Sequence, residues 1–461
     1  MYTFHSKPIL HVGILISLLI SLIGGALVFR SARAAADTVG TCNETTLTST
    51  IASASPNDTI IFSCDGTITL SNTITIGKNL TIDGTGHTVI INGDNNVQVM
   101  TLNGSSSLTL KDITIENGEC ENCNGSSSVN GGGGIFNNGG TLTIIDSTFT
   151  DNKAECDYNY TTCTNNSKAF FGGGAIYNAS GTLNVTQSTF SGNVVSCTGT
   201  DTGLMCRGGA IFNYGGTLTV TQSTFFDNQA LCANGNGTVS QNCTSGGLYQ
   251  YSTNPLIITG STFDSNTSFW PGGAVSFEGS SAPTVTITNS SFWNNSVSGM
   301  AVNGQGCSVI SAGMASLTLI NSTLSGNLNP MGGNGAICTN ASYPATIKNT
   351  ILVNNNNGNC FRTETDGGNN IEDGDSCGFA LTSNGSMKNT APLLGPLADN
   401  GGPTKTFALL AGSPAIDGVT YNGTNGAPST DQRGIWRPVG PHDDIGAYEK
   451  GWDIFLPMII R

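Results

Sequence analysis

The sequence is dominated by an internal repeat of short strand-like segments separated by turns rich in glycine and asparagine. One unit, residues 172–193, reads GGGAIYNASGTLNVTQSTFSGN, and the next, residues 208–228, reads GGAIFNYGGTLTVTQSTFFDN. Ile and Phe are 14 residues apart in these units, and Ile337 and Ile351 keep that spacing. Successive Phe positions are 27 to 41 residues apart. A constant unit with one variable loop is typical of a solenoid whose coils accept insertions at one corner.

Each unit contains three short runs in which apolar residues alternate with Thr, Ser or Asn. In residues 172–193, the alternation directs Ile176, Leu183, Val185 and Phe190 inward. Strands this short bury an apolar face only when successive coils stack on one another. The sequence therefore predicts an all-β fold, a right-handed single-stranded parallel β-helix over residues 37–388.

The two ends of the chain predict caps and targeting segments. Leu47 and Ile51 have helical spacing, which predicts a short cap helix before the first coil. Residues 389–450 are richer in Pro and charge and are expected to form a C-terminal cap, because open coils expose strand edges. Residues 1–36 have the basic, apolar and small-residue order of a secretory signal peptide, with an uncleaved anchor as the alternative. The apolar tail, residues 451–461, is expected to be a sorting or docking element for export or anchoring machinery.

Charge restricts the partners of the chain. There are 16 Lys and Arg against 30 Asp and Glu, a formal net charge of −14. This balance argues against nucleic acid and against anionic membrane surfaces as partners. Together with the signal pattern, it predicts an extracellular or cell-surface location.

An asparagine recurs three residues after each Phe position. Such a residue can hydrogen-bond its counterpart in the next coil, which predicts a structural ladder along the solenoid. Its expected members are Asn152, Asn193, Asn228, Asn266, Asn295, Asn327 and Asn354.

The 14 cysteines fall into couples that are close in sequence. Four couples lie in the variable loops and are expected to staple polar excursions that have no core of their own. A zinc site at Cys120 and Cys123 is the alternative, but a second ligand pair is missing from the sequence. The expected couples are Cys42/Cys64, Cys120/Cys123, Cys156/Cys163, Cys197/Cys206, Cys232/Cys243, Cys307/Cys338 and Cys360/Cys377.

Carboxylates provide the candidates for catalysis and for metal binding. Asp151 and Asp227 would lie two coils apart, about 9.6 Å by strand spacing, and Asp264 is nearby. Aspartate is also common in turns for backbone reasons, which is the structural alternative. The candidate calcium ligands are Asp373, Asp375, Asp443 and Asp444, and an ion-pair network closing the cap is the alternative for the last two. No cofactor other than calcium is predicted.

Threonines in the strands suggest a binding face. Pairs such as Thr141 and Thr143, or Thr217 and Thr219, would point outward on one side of the solenoid. A flat threonine array can bind sugar hydroxyls or ice, although exposed threonine is also favoured in strands for its own sake. Asn184 interrupts the array.

Two resemblances extend these observations. The GGAI and F-x-x-N units at residues 131–354 resemble the repeats of polymorphic outer-membrane proteins, β-helical surface proteins and adhesins of bacteria. The motifs at residues 397–404, 412–417, 431–434 and 444–449 resemble the choice-of-anchor C-terminal domain of exported bacterial β-helix proteins. The sequence lacks barrel-strand patterns after residue 392, and it lacks the cysteines that often precede the last two motifs of such domains.

The sequence therefore predicts an exported cell-surface or secreted β-helix protein with a binding, structural or adhesin-like role. Its expected partner is a cell-surface glycan or protein ligand. The alternative is a polysaccharide lyase or glycoside hydrolase of the pectin-lyase-like β-helix type.

Overall fold

The computed structural model describes residues 36–451 except 122–128, 158–169, 199–204, 234–241, 280–281, 300–305, 331, 333–334, 380–383 and 421–426. Three long sheets, each formed by hydrogen bonding between successive coils, make up the solenoid. All pairs within these sheets are parallel. The fold is the parallel β-helix that the repeats predict.

The 12-stranded sheet contains β1 (Ala36–Val39), β2 (Asp58–Phe62), β5 (Leu80–Asp83), β8 (Ser107–Lys111), β13 (Thr141–Ile145), β18 (Thr182–Thr186), β23 (Thr217–Thr221), β28 (Leu256–Thr259), β32 (Thr284–Thr288), β36 (Ser316–Ile320), β39 (Thr346–Lys348) and β41 (Thr365–Asp366). The 11-stranded sheet contains β3 (Gly66–Thr69), β6 (Val89–Asn92), β9 (Thr114–Glu116), β14 (Thr148–Thr150), β19 (Thr189–Ser191), β24 (Thr224–Phe226), β29 (Thr262–Asp264), β33 (Ser291–Trp293), β37 (Thr323–Ser325), β40 (Ile351–Val353) and β42 (Ile371–Glu372).

The 9-stranded sheet contains β4 (Ile74–Ile76), β7 (Met100–Asn103), β12 (Ile135–Asn138), β17 (Ile176–Ala179), β22 (Ile211–Tyr214), β27 (Leu248–Tyr251), β31 (Val275–Glu278), β35 (Ile310–Ala312) and β38 (Ile337–Thr339). The three sheets enclose one continuous apolar core. Phe149, Phe190, Phe225, Phe263 and Phe292 form a stack inside it, with neighbouring ring centroids 4.6 to 5.0 Å apart. The inward positions expected from the alternation of residues are confirmed at these strands.

Helix α1 (Glu44–Ser53) lies before the first complete coil, as predicted. Asn43 is its N-cap, and the Asn43 Oδ1 accepts a hydrogen bond of 2.8 Å from the Thr46 backbone N–H. Leu47 and Ile51 are buried against the core. The helix therefore covers apolar side chains that the first coil would otherwise expose.

Asparagine ladders cross the interior of the solenoid. The Asn193 Nδ2 donates to the Asn228 Oδ1 at 2.9 Å, and the Asn228 Nδ2 donates to the Asn266 Oδ1 at 2.9 Å. The same bonds join the other coils, and the Asn327 Nδ2 donates to the Asn355 Oδ1 at 2.8 Å. The final member is thus Asn355.

The expected ladder position of Asn354 is wrong. Leu352 pairs with Leu324 and takes the inward Phe position in the last coil, so the ladder residue three positions later is Asn355. The spacing from Ile337 to the inward position is therefore one residue longer than the repeat predicts. Asn354 is an exposed turn residue with a φ of 55°.

The loop excursions form two additional parallel sheets beside the solenoid. The 6-stranded sheet contains β10 (Glu119–Glu121), β15 (Lys153–Asp157), β20 (Val194–Thr198), β25 (Gln229–Ala233), β30 (Thr267–Ser268) and β34 (Ser296–Val297). The 4-stranded sheet contains β11 (Val129–Gly131), β16 (Phe170–Gly172), β21 (Met205–Arg207) and β26 (Asn242–Thr244). Their facing side chains form a small separate core that includes Phe171, Val195 and Ala230.

This second core corrects the expectation that the excursions have no core of their own. The disulfides Cys197–Cys206 and Cys232–Cys243 join the two sheets and belong to that core. Disulfides also link the expected couples Cys42–Cys64, Cys307–Cys338 and Cys360–Cys377. Cys120 and Cys156 are disulfide-bonded, while Cys123 and Cys163 lie outside the described residues.

The region predicted as a C-terminal cap begins with an antiparallel pair, β43 (Leu394–Ala398) and β44 (Thr406–Leu409). It packs on the outer face of the 11-stranded sheet along the last coils. The Thr404 Oγ1 donates to the Gly260 carbonyl at 2.9 Å, and the Ala447 N–H donates to the Thr323 Oγ1 at 3.1 Å. Apolar residues of this region bury Ile351 and Val353, which point outward from β40.

Candidate functional site

Asp151 and Asp227 lie at equivalent turns of the solenoid. Both have a φ of 53°, in the left-handed region, and the equivalent residues of other coils include Gly192, Ser265 and Asn294, with φ of 63°, 60° and 53°. Aspartate, asparagine and glycine tolerate this conformation better than other residues do. The turn therefore accounts for both aspartates on structural grounds, as the alternative interpretation expected.

Asp264 lies in a different environment. It points outward from β29, pairs with Phe226 of the preceding coil rather than with Asp227, and is 4 % exposed. Its Oδ1 accepts a hydrogen bond of 2.7 Å from the Ser265 Oγ, and its Oδ2 is 4.0 Å from the Lys405 Nζ. The C-terminal region thus covers Asp264, whereas Asp151 and Asp227 lie on exposed turns.

The calcium candidates of the last coil already have protein donors. The Asp373 Oδ2 accepts from the Asn354 N–H at 2.7 Å, and its Oδ1 accepts from the Asn359 Nδ2 at 2.9 Å. The Asp375 Oδ2 accepts from the Lys388 Nζ at 2.8 Å. The two aspartates therefore have different hydrogen-bond partners.

The charged residues of the C-terminal region form a buried network. Arg437 donates to the Glu449 Oε2 at 2.9 Å, and the side chains of both residues are 1 % exposed. The Asp444 Oδ1 accepts from the Asp417 N–H at 2.7 Å, and its Oδ2 accepts from the Lys450 N–H at 2.6 Å. The buried Arg437–Glu449 pair agrees with the ion-pair network that was the alternative to calcium binding here, whereas Asp444 itself is held by backbone N–H groups.

Burial dominates the titration of this network. It raises the pKa of Asp444 to about 6, although the N–H groups of Lys450 and Asp417 act in the opposite direction. Burial also raises the pKa of Asp443 and of Glu449. The network therefore contains carboxyl groups that protonate more easily than exposed ones.

One further group of candidate metal ligands occurs among the residues that the structure describes. The Sγ atoms of Cys197, Cys206 and Cys243 lie within 4.8 Å of one another. All three are disulfide-bonded, and they lie close together because equivalent disulfides of adjacent coils stack. Thiolates, the form that binds zinc, are absent from this oxidised arrangement.

The outer face of the 12-stranded sheet presents a column of threonines in strict register. Strand pairing aligns the central outward residue of each strand from β2 to β41, without a bulge between neighbours. In order, these residues are Thr59, Thr81, Thr109, Thr143, Asn184, Thr219, Ile257, Thr286, Thr318, Thr346 and Thr365. Neighbouring members are about 4.8 Å apart by strand spacing.

Two flanking columns widen this surface. Thr141, Thr182 and Thr217 lie on one side of the central column, and Thr186, Thr221 and Thr259 lie on the other. The outward positions of β13, β18, β23, β28, β32 and β36 carry no charged side chain. We call the outward residues of these six strands the threonine face.

The hydroxyl groups of the threonine face are available to a ligand. Thr143, Thr219, Thr286 and Thr318 are partly exposed, and their side-chain hydroxyls have no hydrogen-bond partner among the described residues. Each side chain offers one hydroxyl and one methyl group. The face can therefore make both hydrogen bonds and apolar contacts to an extended neutral partner.

Comparisons with known proteins add no relative: no family model, no curated protein and no solved structure matches the chain. Within the described residues, no helix is long and apolar enough to cross a membrane. The signal peptide predicted at 1–36 and the tail after Gly451 lie outside the described residues, except that Ala36 begins β1.

Sequence reasoning missed two interior ladders. Asn137, Asn178 and Asn213 are joined by Nδ2-to-Oδ1 hydrogen bonds of 2.6 Å at the end of the 9-stranded sheet. Serine hydroxyls form a second ladder, in which the Ser188 Oγ accepts from the Ser147 N–H at 3.2 Å. Two sequence signals could have revealed these ladders: the Asn that recurs in the A-I-x-N segments and the Ser that recurs in the S-T-F segments.

Proposed function

We propose that this chain is an exported binding protein whose threonine face binds a glycan outside the cytoplasm. The observation that carries the proposal is the uncharged, in-register array of unpaired hydroxyls on six consecutive strands. A chain with a net charge of −14 that keeps one long face neutral is suited to a neutral polyhydroxylic partner.

The disulfides support the same location. Five disulfides are formed between described cysteines, and bonds of this kind persist in oxidising compartments. The predicted signal peptide and the resemblance to exported β-helix proteins agree with it. A surface-attached role through the C-terminal tail is part of this proposal.

Binding is favoured over hydrolysis because the candidate carboxylates are explained by the fold. Asp151 and Asp227 occupy left-handed turns, and Asp264 is covered. Glycoside hydrolysis requires two carboxyl groups that face one substrate. Polysaccharide cleavage remains the competing function, and it is tested in the same experiment.

The test is a sedimentation assay with insoluble polysaccharides, cellulose and chitin among them, and the purified exported protein. Thr219→Lys and Thr286→Lys each place a long charged side chain in the central column, and we expect both to abolish binding. Thr189→Lys, on the outer face of the 11-stranded sheet, is the matched control and should bind like the wild type. Equal loss in the control, or no binding to any polysaccharide, would contradict the proposal. Release of reducing ends or unsaturated uronates would favour the enzyme.

A further inference from the structure

One column of outward residues on the 9-stranded sheet changes from aromatic to small side chains along the solenoid. In successive coils, the aligned positions are Phe136, Tyr177, Phe212, Tyr249, Ser276, Ser311 and Cys338. The first four are aromatic and form a buried cluster, with Tyr177 and Phe212 centroids 4.9 Å apart. The last three are small.

The aromatic part of this column is covered by the 4-stranded sheet. Gly172 approaches Phe212 so closely that a Cβ there would lie 2.5 Å from the ring. The Arg207 guanidinium lies 4.4 Å from the Tyr249 ring centroid. The 4-stranded sheet ends at β26, so the small residues of the following coils are not covered in this way.

A cavity of about 220 Å³ opens beside the last two of these small residues, Ser311 and Cys338. Its wall includes Ser311, Asn340, Phe361 and Arg362 together with the Cys307–Cys338 disulfide. These residues come from successive coils, and the disulfide ties two of those coils together. The cavity is therefore formed by the stacking of several coils and not by a single loop.

Arg362 gives the cavity a cationic group. Its guanidinium carbon lies 4.6 Å from the Phe361 ring centroid, and the residue is exposed. Among the described residues, Arg362 makes no hydrogen bond or ion pair. Glu364 interacts electrostatically with Arg362, but its carboxylate already accepts hydrogen bonds from the Thr339 Oγ1 at 2.7 Å and from the Ala345 N–H at 2.6 Å.

The remaining wall defines the rest of the ligand. Phe361 and the disulfide offer apolar surface, and Ser311 and Asn340 offer a hydroxyl and an amide. The Asn340 Oδ1 accepts from the Ser342 N–H at 2.9 Å, which leaves the amide nitrogen as a donor toward the ligand. At about 220 Å³, the space is smaller than a typical drug-sized pocket and suits one ring.

We propose that this cavity binds a single sugar residue that carries an anionic group, a carboxylate or a sulfate. The anionic group would pair with the Arg362 guanidinium, whose planar donors match such oxyanions. The sugar ring would pack on Phe361, with its hydroxyls directed to Ser311 and Asn340. This site is separate from the threonine face, although it shares with the proposed function the expectation of a glycan ligand.

Calorimetric titration with glucuronate, glucose 6-sulfate, glucose and acetate tests the assignment. The wild type should bind at least one of the two anionic sugars, and should bind glucose and acetate much more weakly. Arg362→Gln should weaken anionic-sugar binding about tenfold or more, since a charge-assisted pair is lost. Ser311→Phe places in this column an aromatic ring like those of the earlier coils, fills the cavity and should abolish binding.

Ser191→Phe, on a partly exposed outward position of β19 where the next coil already has Phe226, is the matched control for bulk and should bind like the wild type. Circular dichroism of every variant establishes that the fold is kept, and the exposed Arg362 variant keeps the test valid if Ser311→Phe does not fold. Failure of both anionic sugars to bind, or binding unaffected by Arg362→Gln, overturns the proposal. Glucose or acetate binding as tightly as the anionic sugars also overturns it.

The proposals for the two sites can be refuted independently of each other. Thr219→Lys should abolish sedimentation with polysaccharide and leave anionic-sugar binding intact, and Arg362→Gln should do the reverse. A wild type that binds an anionic sugar but no insoluble polysaccharide would therefore refute the threonine face alone.

Discussion

Removal of one rung from the asparagine ladder should destabilise the solenoid far more than removal of a turn asparagine. The Asn228 side chain is fully buried and makes four hydrogen bonds: two accepted from Asn193 and two donated, to the Phe190 carbonyl and to the Asn266 Oδ1. Each hydrogen bond contributes about 1 kcal/mol net to stability, so Asn228→Ala should lower the free energy of unfolding by about 4 kcal/mol. Water entering the vacated space would reduce this value, and unsatisfied donors would increase it.

Asn354 provides the matched comparison. It is exposed and has a left-handed φ of 55°, and its hydrogen bond to the Asp373 Oδ2 is made by the backbone N–H, which a substitution keeps. Asn354→Ala should therefore cost about 1 kcal/mol, and Asn354→Gly should be close to neutral. The two sites are both asparagines of repeated turns, so composition alone does not distinguish them.

Denaturant unfolding under oxidising conditions, followed by circular dichroism, measures the difference. Because a long solenoid can unfold in segments, hydrogen exchange of peptides covering residues 190–228 should be measured as well. Asn228→Ala should increase exchange in the coils on both sides of the missing rung. A cost for Asn228→Ala no larger than that of Asn354→Ala would refute the reasoning.

Three other outcomes follow from the structure. Asp444 has a pKa of about 6 in the folded state against about 3.9 unfolded. Its contribution to the free energy of unfolding should therefore fall as pH rises from about 4 to about 6 and stay constant above that. Asp444→Asn should reduce this pH dependence, measured by hydrogen exchange of residues 431–450. The double change Cys197→Ala with Cys206→Ala opens a loop with a sequence separation of 9, and should lower stability by about 2.5 kcal/mol in the same denaturant assay; an unchanged midpoint would show that the second core suffices without the bond. Deletion of Ile454–Arg461 should release the protein from the cell surface into the medium with little change in melting temperature; retention at the surface with a lowered melting temperature would contradict a sorting role.

Much of the fold was predictable because the repeat is periodic at two levels. Alternation within each run identified the inward side chains, and the recurrence of Asn after Phe identified one ladder. The prediction was wrong at Asn354, where a single additional residue moved the inward position from Ile351 to Leu352. A shift of one residue reverses the two faces of a strand, so local spacing decides which neighbour enters the core.

The candidate sites were less accessible from the sequence. Asp151 and Asp227 were identified as a carboxylate pair, and only their left-handed backbone showed why each turn accepts aspartate. The threonine pairs were visible, but their alignment in a column depends on the register between coils that are separated by loops of different length. The cavity beside Arg362 has no local signature, since its wall comes from several coils.

By itself, the sequence determined the class of fold, the inward side chains of the best repeats and the close pairing of most cysteines. These properties depend on side-chain alternation and on short separations along the chain, and both can be read locally. Only the tertiary structure decided that the excursions build a second core, that the C-terminal region covers Asp264, and that small outward residues leave a cavity beside Arg362. Each of these depends on which surfaces meet after the coils have stacked, and packing between residues distant in sequence has no fixed period in the chain.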